Sequence, residues 1–354
     1  MRSALSLAAR GLGNTWPNPT VGCIIVNRGR VVGRGWTAPG GRPHAETEAL
    51  KRAGAAARGA TAYVTLEPCC HWGRTPPCTD ALIAAGVLRV VIALRDPDPR
   101  VDGEGVTRLR AAGVVVEEGV LQAEATALNA GFLKRQAQGL PLVTLKLATS
   151  LDGRIATAGG ESRWITGPAA RRHGHALRGR HDAILVGSGT VLADDPDLTC
   201  RIPGFSPRPI VRVIADARGR VSPTARVFVA DAPVWIAVAE GVTPAAARGA
   251  ELIPLAPAAS GEGLDPTILL RALGARGITR VLLEGGGRLA ASLLAAGLVD
   301  RLAWFHAGRV IGGDGLPAIA PLGFAALAAA PRFRRSAAIP VGEDWLTEAV
   351  LQES

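Results

Sequence analysis

The sequence predicts an α/β protein of two domains. Its 354 residues exceed one domain of ordinary size, and 48% of them are hydrophobic, so a sizeable core can be buried. Short apolar strands alternate with Ala- and Leu-rich helices, which is typical of α/β architecture. Gly139-Leu140-Pro141 breaks a long helix, so we expect one domain at 1–139 and a second at 140–354.

The first domain is predicted to have three layers, with helices packed on a sheet. An amphipathic helix ends at Gly11, and Asn27-Arg28-Gly29 marks the turn of a hairpin. Pro68 ends a later strand. The predicted elements are strands 21–27 and 30–36, helix 44–57, strand 61–66, helix 78–85, strand 87–94, helix 103–112, strand 114–116 and helix 122–138.

The second domain is predicted as another α/β run. Pro168 suits the first turn of a helix, and Thr166 is expected to cap it. Residues 244–263 are rich in Ala, Pro and Gly and are expected to form a surface connection. The predicted elements are strand 142–149, helix 168–178, strands 183–187, 210–216, 234–238 and 279–284, helix 289–296 and strand 302–310.

The composition excludes several classes of protein. No uncharged apolar run reaches 18 residues, so no membrane span is expected. The N-terminus lacks the apolar segment of a signal peptide, and five cysteines do not make a disulfide framework, which together favour the cytoplasm. The net charge of +10 comes from scattered arginines and aromatic content is 4%, so no nucleic-acid partner is expected. A phosphorylated substrate and cofactor, or a bias toward Arg and Ala, would explain the charge.

One histidine, one glutamate and two cysteines form the most specific chemical pattern of the chain. His44 precedes Glu46 by two residues, and Cys69 and Cys78 flank a Pro-rich loop. His and Cys are ligands that Zn²⁺ prefers, and three of them leave a fourth tetrahedral position for water. Glu46 lies too close along the chain to ligate the same ion comfortably, but it can move protons on and off that water. The pattern H-x-E…P-C…C predicts a catalytic zinc site of the deaminase type.

Two alternatives to a catalytic zinc site stay open from the residues alone. A structural site needs four protein ligands, and Cys70 or His71 could supply the fourth. Such a site has no use for Glu46, and we favour the catalytic reading. The arrangement could also arise by chance without a metal. Cys70 could compete with Cys69, but Cys69 follows Pro68 as the motif requires.

The second domain carries weaker chemical signals. Gly285-Gly286-Gly287 lies between a strand and a helix and offers backbone N–H groups to a phosphate, although such a turn is often only a turn. No acidic ribose-binding residue stands out some twenty residues further on, so we do not predict a Rossmann fold. Lys146 interrupts an otherwise apolar strand, where a lysine is rarely buried without a partner.

These motifs together resemble a family of bifunctional riboflavin-biosynthesis proteins, in which diaminohydroxyphosphoribosylaminopyrimidine deaminase is fused to 5-amino-6-(5-phosphoribosylamino)uracil reductase. The resemblance covers nearly the whole chain, and the eight-residue gap between Cys69 and Cys78 is characteristic of the family. Cys70 departs from it, since a small polar residue usually stands there. The segments that carry the resemblance are 17–22, 44–46, 65–69, 73–78, 146–147, 150–154, 164–166, 189–196 and 284–286.

The resemblance implies a cytidine-deaminase-like first domain and a dihydrofolate-reductase-like second domain. It also implies two reactions. Zinc-bound hydroxide attacks C2 of the pyrimidine of a phosphoribosylaminopyrimidine, with Glu46 carrying the proton to the leaving ammonia. NADPH then delivers hydride to C1′ of the ribose, which becomes a ribityl chain. The implied cofactors are therefore Zn²⁺ and NADPH.

Matching positions give further residue roles by resemblance. Lys146 could polarise the ring-opened sugar, and Asp194 is placed with Glu46 and Lys146 among the catalytic residues. The residues expected to line the NADPH site are Ala148, Trp164, Thr190, Asp194, Gly286, Gly287, Arg288, Leu289, Ala290, Ala291 and Ser292. The residues expected to bind substrate are Asn18 in the first domain and Ser162, Arg178, Leu198, Arg201 and Glu284 in the second.

Three rival functions follow from the same residues. A tRNA-type zinc deaminase with an appended binding domain would need a basic stripe interleaved with aromatic residues, which the sequence lacks. A zinc-stabilised scaffold would be indifferent to Glu46. A chain with one degenerate half would retain one reaction, but both sets of motifs are intact. We also expect a homo-oligomer, and the first helix starts late for the family, as an internal start site would produce.

Overall fold

The computed structural model describes residues 1–229, 231–245, 249–258 and 263–352. By its internal contacts the chain forms two compact units, Met1–Gly139 and Leu140–Ser354. No helix in the described ranges has the length and apolar character that crossing a bilayer requires.

The first unit is a five-stranded mixed sheet with helices. The strand order is β2-β1-β3-β4-β5, with β1 antiparallel to both of its neighbours and β3, β4 and β5 parallel. The strands are β1 (Gly22–Asn27), β2 (Arg30–Trp36), β3 (Thr61–Val64), β4 (Arg89–Ile92) and β5 (Val115–Glu118). The helices are α1 (Arg2–Ala8), α2 (Ala45–Ala53), α3 (Cys78–Ala84), α4 (Glu104–Ala111) and α5 (Gln122–Gln138).

Small residues set the distance between α2 and the sheet. A Cβ atom on Gly33 would lie 2.2 Å from the Ala49 carbonyl oxygen, and one on Gly35 would lie 2.1 Å from that of Ala45. Both contacts are shorter than any real side chain tolerates, so only glycine lets α2 lie against β2. Ala45 and Ala49 are fully buried on the helix side of this contact. The close packing fixes the start of α2, where the zinc motif begins.

The second unit is a nine-stranded sheet with the order β11-β10-β9-β8-β12-β6-β13-β16-β15. The strands from β11 to β13 are parallel, and β13, β16 and β15 form an antiparallel edge. A separate two-stranded ribbon joins β7 to β14. The strands are β6 (Leu142–Thr149), β7 (Arg154–Ala156), β8 (Ala183–Gly187), β9 (Val211–Ala215), β10 (Val234–Ala239), β11 (Glu251–Leu255), β12 (Arg280–Glu284), β13 (Arg301–His306), β14 (Leu316–Pro317), β15 (Phe333–Val341) and β16 (Asp344–Leu351). The helices are α6 (Pro168–Gly179), α7 (Ser188–Asp194), α8 (Pro266–Ala275) and α9 (Gly287–Ala295).

The predicted fold class is confirmed, with local corrections in the second unit. Residues 244–263 were expected to form a surface connection, but part of this stretch forms strand β11, which pairs with β10. Residues 246–248 and 259–262 of the same stretch lie outside the described ranges. Helix α7, the ribbon β7/β14 and the C-terminal hairpin β15/β16 were not predicted, and β13 ends at His306.

The expected cap of α6 is wrong. Gly167, not Thr166, occupies the N-cap position, and it has no side chain with which to accept a hydrogen bond. Its own N–H donates to Asp344 Oδ2 at 2.7 Å. A carboxylate from β16, distant in sequence, therefore fixes the start of this helix.

Candidate active sites

The three predicted zinc ligands lie together in the first unit. His44 is the N-cap residue of α2, Cys78 is the first residue of α3, and Cys69 lies in the loop after β3. Their ligand atoms all lie within 4.8 Å of one another. His44 Nδ1 is 3.3 Å from Cys78 Sγ and 3.7 Å from Cys69 Sγ.

These distances fit a tetrahedral zinc site. Zn–S bonds of about 2.3 Å and Zn–N bonds of about 2.0–2.1 Å place a nitrogen and a sulfur ligand roughly 3.6 Å apart. Cys70 is not a member of the cluster, because its thiol donates to the Arg100 carbonyl oxygen at 3.4 Å. His71 also lies outside the cluster. The described geometry therefore offers three protein ligands and leaves the fourth position open, as a catalytic site needs.

The two ligand thiols shift each other's pKa in opposite directions. The hydrogen bond from the Cys78 thiol lowers the pKa of Cys69 to about 4, and the same contact holds the pKa of Cys78 well above its usual value. The Cys78 backbone N–H also donates to Cys69 Sγ at 3.3 Å. Thiolates are the form that ligates metals, so a cation bound by Cys69 and Cys78 would favour loss of the proton from both thiols.

Glu46 is buried beside the cluster, with 3% of its surface exposed. Burial raises its pKa to about 7, although His44 acts in the opposite direction. A bound cation would also oppose the rise. A carboxyl group held between its two protonation states near neutral pH suits a group that must both accept and donate a proton.

A cavity of about 580 Å³ is lined by His44, Glu46 and Cys69. Asn18, the predicted substrate contact of this unit, lines it, and Gly41 packs so closely on Asn18 that a Cβ atom would lie 1.9 Å from Asn18 Nδ2. The sequence did not single out several other lining residues. These include Arg42, Arg74, Asp96, Asp98, Arg100 and Arg135.

Glu67 supports the wall of this cavity and was also missed. Its carboxylate accepts from the backbone N–H groups of Asp96, Gly103 and Val106 at 3.3, 3.1 and 3.1 Å. It lies two residues before Cys69 and is 3% exposed. The metal loop and the segment that leads into α4 are therefore tied to one carboxylate.

The second unit has its own polar cleft, built on adjacent strands. Glu284 ends β12 and lies opposite Lys146 on β6. Arg178 from α6 donates to both Glu284 carboxylate oxygens, from Nε at 2.8 Å and from Nη2 at 2.9 Å. Lys146 Nζ lies 3.8 Å from Glu284 Oε2. Burial alone would raise the pKa of Glu284, but Arg178 and Lys146 outweigh it and lower the pKa to about 2. Glu284 is therefore a fixed negative charge.

A cavity of about 330 Å³ lies over this triad. It brings together six residues that the sequence singled out, namely Lys146, Ala148, Trp164, Arg178, Arg201 and Glu284. It also includes Thr166, which the sequence singled out only as a helix cap, and residues that the sequence missed, among them Arg171, His175 and Phe305. Arg171 stacks on Trp164 with its guanidinium carbon 4.4 Å from the ring centroid.

The remaining predicted residues of this unit do not line that cavity. Ser162 is half-buried and Leu198 is buried with a positive φ of 53°. Asp194 ends α7, and its carbonyl oxygen accepts from Arg163 Nη2 at 3.2 Å. Their predicted roles in binding therefore stay predictions.

The glycine turn lies against Thr190, another predicted cofactor residue. Gly285 and Gly286 have φ values of 82° and 83°, and a Cβ atom on Gly285 would lie 2.9 Å from Thr190 Cγ2. Side chains are excluded there, which leaves the backbone free to approach a ligand. Arg288, Leu289 and Ser292 are partly or fully exposed, whereas Ala290 and Ala291 are buried at 2% and 8%.

Two family models match the chain. The RibD C-terminal domain matches residues 141–347, and the cytidine and deoxycytidylate deaminase zinc-binding region matches residues 1–94. Riboflavin biosynthesis protein RibD of Escherichia coli (strain K12) is 45% identical over 355 residues, which cover 97% of this chain and 96% of that protein. RibD of Aquifex aeolicus (strain VF5) is 41% identical over 348 residues, covering 97% and 95%.

Solved structures agree over the whole length. Acinetobacter baumannii RibD, form 1, superposes with a TM-score of 0.89 at 39% identity, covering 99% of this chain and 98% of that one. The diaminohydroxyphosphoribosylaminopyrimidine deaminase/5-amino-6-(5-phosphoribosylamino)uracil reductase of Thermotoga maritima gives 0.88 at 37% identity, covering 99% and 97%. The chain therefore belongs to the RibD family, the bifunctional zinc-dependent deaminases and NADPH-dependent reductases of riboflavin biosynthesis.

Proposed function

We propose that the two units catalyse successive steps on one small molecule. The unit at 1–139 deaminates 2,5-diamino-6-(5-phosphoribosylamino)pyrimidin-4(3H)-one, and the unit at 140–354 reduces the ribose of 5-amino-6-(5-phosphoribosylamino)uracil to ribityl. The observation that carries the proposal is the clustering of His44, Cys69 and Cys78 beside buried Glu46. A reductase match at 141–347 argues against the rival of a tRNA-type deaminase with a binding domain.

In the deaminase site, Glu46 handles the protons. Zinc held by His44, Cys69 and Cys78 supplies the lowered water pKa that a nucleophile at neutral pH requires. Glu46 takes a proton from the attacking water and delivers it to the amino group that leaves C2. Its burial excludes bulk water, so the proton stays on the carboxyl group between the two transfers. Asn18 lines the same cavity and is proposed to orient the pyrimidine.

In the reductase cleft, fixed charges orient the sugar and its phosphate. We assign the phosphate first to Arg201, because three nitrogens of Arg178 already donate, two to Glu284 and Nη1 to the Thr199 carbonyl oxygen. Arg178 then keeps Glu284 ionised at the cavity wall. Lys146, with its ammonium group near the cavity, is proposed to donate to the sugar oxygen as the ring opens.

The glycine turn and its neighbours are proposed to hold NADPH. Gly286 is the N-cap residue of α9 and Gly287 is its first residue, and the N–H groups of this first turn suit a phosphate. Thr190, Asp194, Trp164 and Ala148 complete the predicted contacts. The cofactor supplies the hydride, and the chain excludes bulky side chains where the backbone approaches it.

Homo-oligomerisation and a cytoplasmic location remain part of the proposal. They rest on the resemblance and on the cysteine content, and size-exclusion chromatography with light scattering measures the first directly.

One experiment tests both activities together. The diaminopyrimidine ribotide is incubated with the full chain, with and without NADPH, and the products are identified by mass. Without NADPH the expected product is the deaminated uracil that retains its ribose, and with NADPH the ribityl product should replace it. Appearance of a reduced but still diaminated pyrimidine would reverse the proposed order.

A further inference from the structure

His175 is the histidine that lines the cavity of the second unit. It lies on α6, three residues before Arg178, and neither the sequence motifs nor the proposed chemistry assigns it a role. Its ring is half-buried and contacts the segment that carries Thr199 and Arg201. Both ring nitrogens have hydrogen-bonding partners, which together determine the tautomer.

The contact at Nδ1 decides the position of the ring proton. Nδ1 lies 3.0 Å from the Thr199 carbonyl oxygen, and a carbonyl oxygen can only accept. Nδ1 therefore carries the proton and donates it. The Arg201 backbone N–H lies 3.3 Å from the same nitrogen, but it cannot donate to a protonated Nδ1. The tautomer with its proton on Nε2 would accept from the Arg201 backbone N–H, but it would lose the other two contacts and place the Nδ1 lone pair against the Thr199 oxygen.

The contact at Nε2 then holds Arg201. With the proton on Nδ1, the neutral ring has a lone pair on Nε2, and Arg201 Nε lies 3.2 Å from it as a donor. Arg201 Nη1 is held by Asp197 Oδ2 at 3.2 Å. Among the described residues, none accepts a hydrogen bond from Arg201 Nη2, and Arg201 lines the cavity. The contacts at Nε and Nη1 hold the guanidinium at two points and leave the N–H groups of Nη2 for a ligand.

We propose that His175 is a positioning residue, which holds the Arg201 guanidinium in the orientation that receives the substrate's phosphate group. The inference rests on the proposed reduction of a phosphoribosyl substrate and deepens it. The side chain of Arg201 is 59% exposed, so without a second hold it would occupy several rotamers and lose affinity on being ordered. His175 supplies that hold only while its ring is neutral.

The charges around His175 keep the ring neutral. Burial lowers its pKa below the usual value, and the positive charges of Arg178 on α6 and Arg201 on the facing segment lower it further. The Thr199 carbonyl and Glu284 on β12 act in the opposite direction, and Lys146 on β6 lines the same cavity. Protonation would place an N–H group of Nε2 against Arg201 Nε–H and break the contact.

Two substitutions test the contacts of the two ring nitrogens one at a time. His175→Gln places an amide near the position of Nε2, so its oxygen can accept from Arg201. His175→Asn places an amide near Nδ1, so it keeps the Thr199 contact and loses Arg201. The reduction is measured with supplied uracil intermediate and saturating NADPH. We expect His175→Asn to raise KM about tenfold, because one hydrogen bond to a charged group is lost, and to leave kcat within about twofold of the wild-type value. His175→Gln should stay within about threefold of the wild-type KM.

Arg201→Ala and the double variant Arg201→Ala/His175→Asn complete the test. Because His175 acts through Arg201, the Asn substitution should raise KM no further once Arg201 is absent. His306→Asn is the matched control, since His306 stacks on Trp304 and does not line the cavity. NADPH affinity, measured by titration, reports whether each variant retains a folded cleft.

The dependence of KM on pH distinguishes a positioning histidine from one that only supports the fold. As pH falls from 7 to 5, protonation of His175 should raise the wild-type KM, while the phosphate group itself loses charge in about the same range. The Gln variant supplies the baseline for the phosphate, so the ratio of wild-type KM to Gln-variant KM should rise as pH falls. This comparison holds even if His175→Asn fails to fold.

The outcomes separate this inference from the proposed function. A raised KM in Arg201→Ala, together with a wild-type KM in His175→Asn or a flat KM ratio with pH, would overturn the role of His175 alone. An unchanged KM in Arg201→Ala would overturn the phosphate role of Arg201 and the role of His175 with it. A fall in kcat at constant KM in His175→Asn would also contradict a positioning role.

Discussion

The zinc cluster and the reductase cleft place their polar groups by different means. In the first unit the backbone does it, because His44 and Cys78 stand at the starts of two helices and glycines bring α2 against β2. In the second unit a charge network does it, because Arg178 and Lys146 converge on Glu284 from different elements. The first site should therefore tolerate loss of its charged group structurally, whereas the second should not.

The largest expected effect is chemical and confined to the first unit. Glu46→Gln leaves the three ligands in place, so zinc content should remain at one per chain, but deamination should fall on the order of 10⁴-fold because both proton transfers use this group. Reduction of supplied uracil intermediate should persist. Zinc is measured by elemental analysis and the two products by mass.

Glu48→Gln is the matched control for Glu46. It lies on the same helix and pairs with Arg52 at the surface, away from the cavity. Its deamination rate should stay within about twofold of wild type. Wild-type deamination by Glu46→Gln would remove Glu46 from the mechanism.

The second prediction tests the charge network by stability. Glu284→Gln leaves Arg178 and Lys146 without their counter-ion in a buried site, which typically costs about 3–5 kcal/mol of unfolding free energy. Glu251→Gln removes the carboxylate of an exposed pair with Arg276 in the same unit and should cost less than about 1 kcal/mol. Urea unfolding of the full chain, followed by a probe in the second unit, measures both.

The pH dependence of that difference has a fixed sign. The pKa of Glu284 is lowered to about 2 in the folded state, so the carboxylate stabilises the fold above the ordinary value of 4.5. This stabilisation is lost as pH falls from 4.5 toward 2. The gap between wild type and Glu284→Gln should shrink over the same interval. A gap that does not change with pH would mean that the charge is not what stabilises the cleft.

The third prediction separates neighbouring cysteines in the first unit. Cys69→Ser should lower zinc affinity by more than about 100-fold, because loss of a mere supporting partner of a ligand already costs about 10- to 100-fold. Cys70→Ser should keep zinc, since its thiol faces the Arg100 carbonyl oxygen. Competition with a chromophoric chelator measures both affinities. Loss of metal from Cys70→Ser alone would show that the ligand assignment is wrong.

The same contrast explains what the sequence could and could not predict. His44 and Glu46 lie two residues apart on one helix start, and Cys69 and Cys78 flank one loop, so local spacing already places them together. Arg178 and Glu284 are 106 residues apart, and only the resemblance linked them before their contact was seen. His175 had no local signal at all, because its partners Thr199 and Arg201 lie 24 and 26 residues further along the chain.

Two of the missed strands, β11 and β15, were missed for a physical reason as well. Strand β11 contains Pro254, which cannot donate to a neighbouring strand and which argues against a central strand. The sheet order places β11 at an edge, where a proline is tolerated. Strand β15, with Pro340, is the opposite edge. Edge strands receive less burial, so their sequences carry less of the apolar pattern from which strands are predicted.

The smallest of these effects separates substrate from cofactor within the second unit. Arg201→Ala should weaken the phosphorylated substrate by about 1.5–3 kcal/mol, or roughly ten- to a hundredfold, the value of one charge-assisted contact. NADPH affinity should change less than substrate affinity, because most of the residues proposed to hold the cofactor, the glycine turn among them, do not line the cavity of Arg201, and only Ala148 and Trp164 do. Arg226→Ala is the matched control, since Arg226 also pairs with Asp197, at 2.7 Å, but does not line the cavity. Titrating substrate and NADPH separately into each variant measures both affinities. A lower affinity for NADPH with an unchanged affinity for substrate in Arg201→Ala would mean that the two binding regions are assigned the wrong way round. An equal loss of substrate affinity in Arg226→Ala would mean that Asp197, and not the charge of Arg201, determines substrate binding.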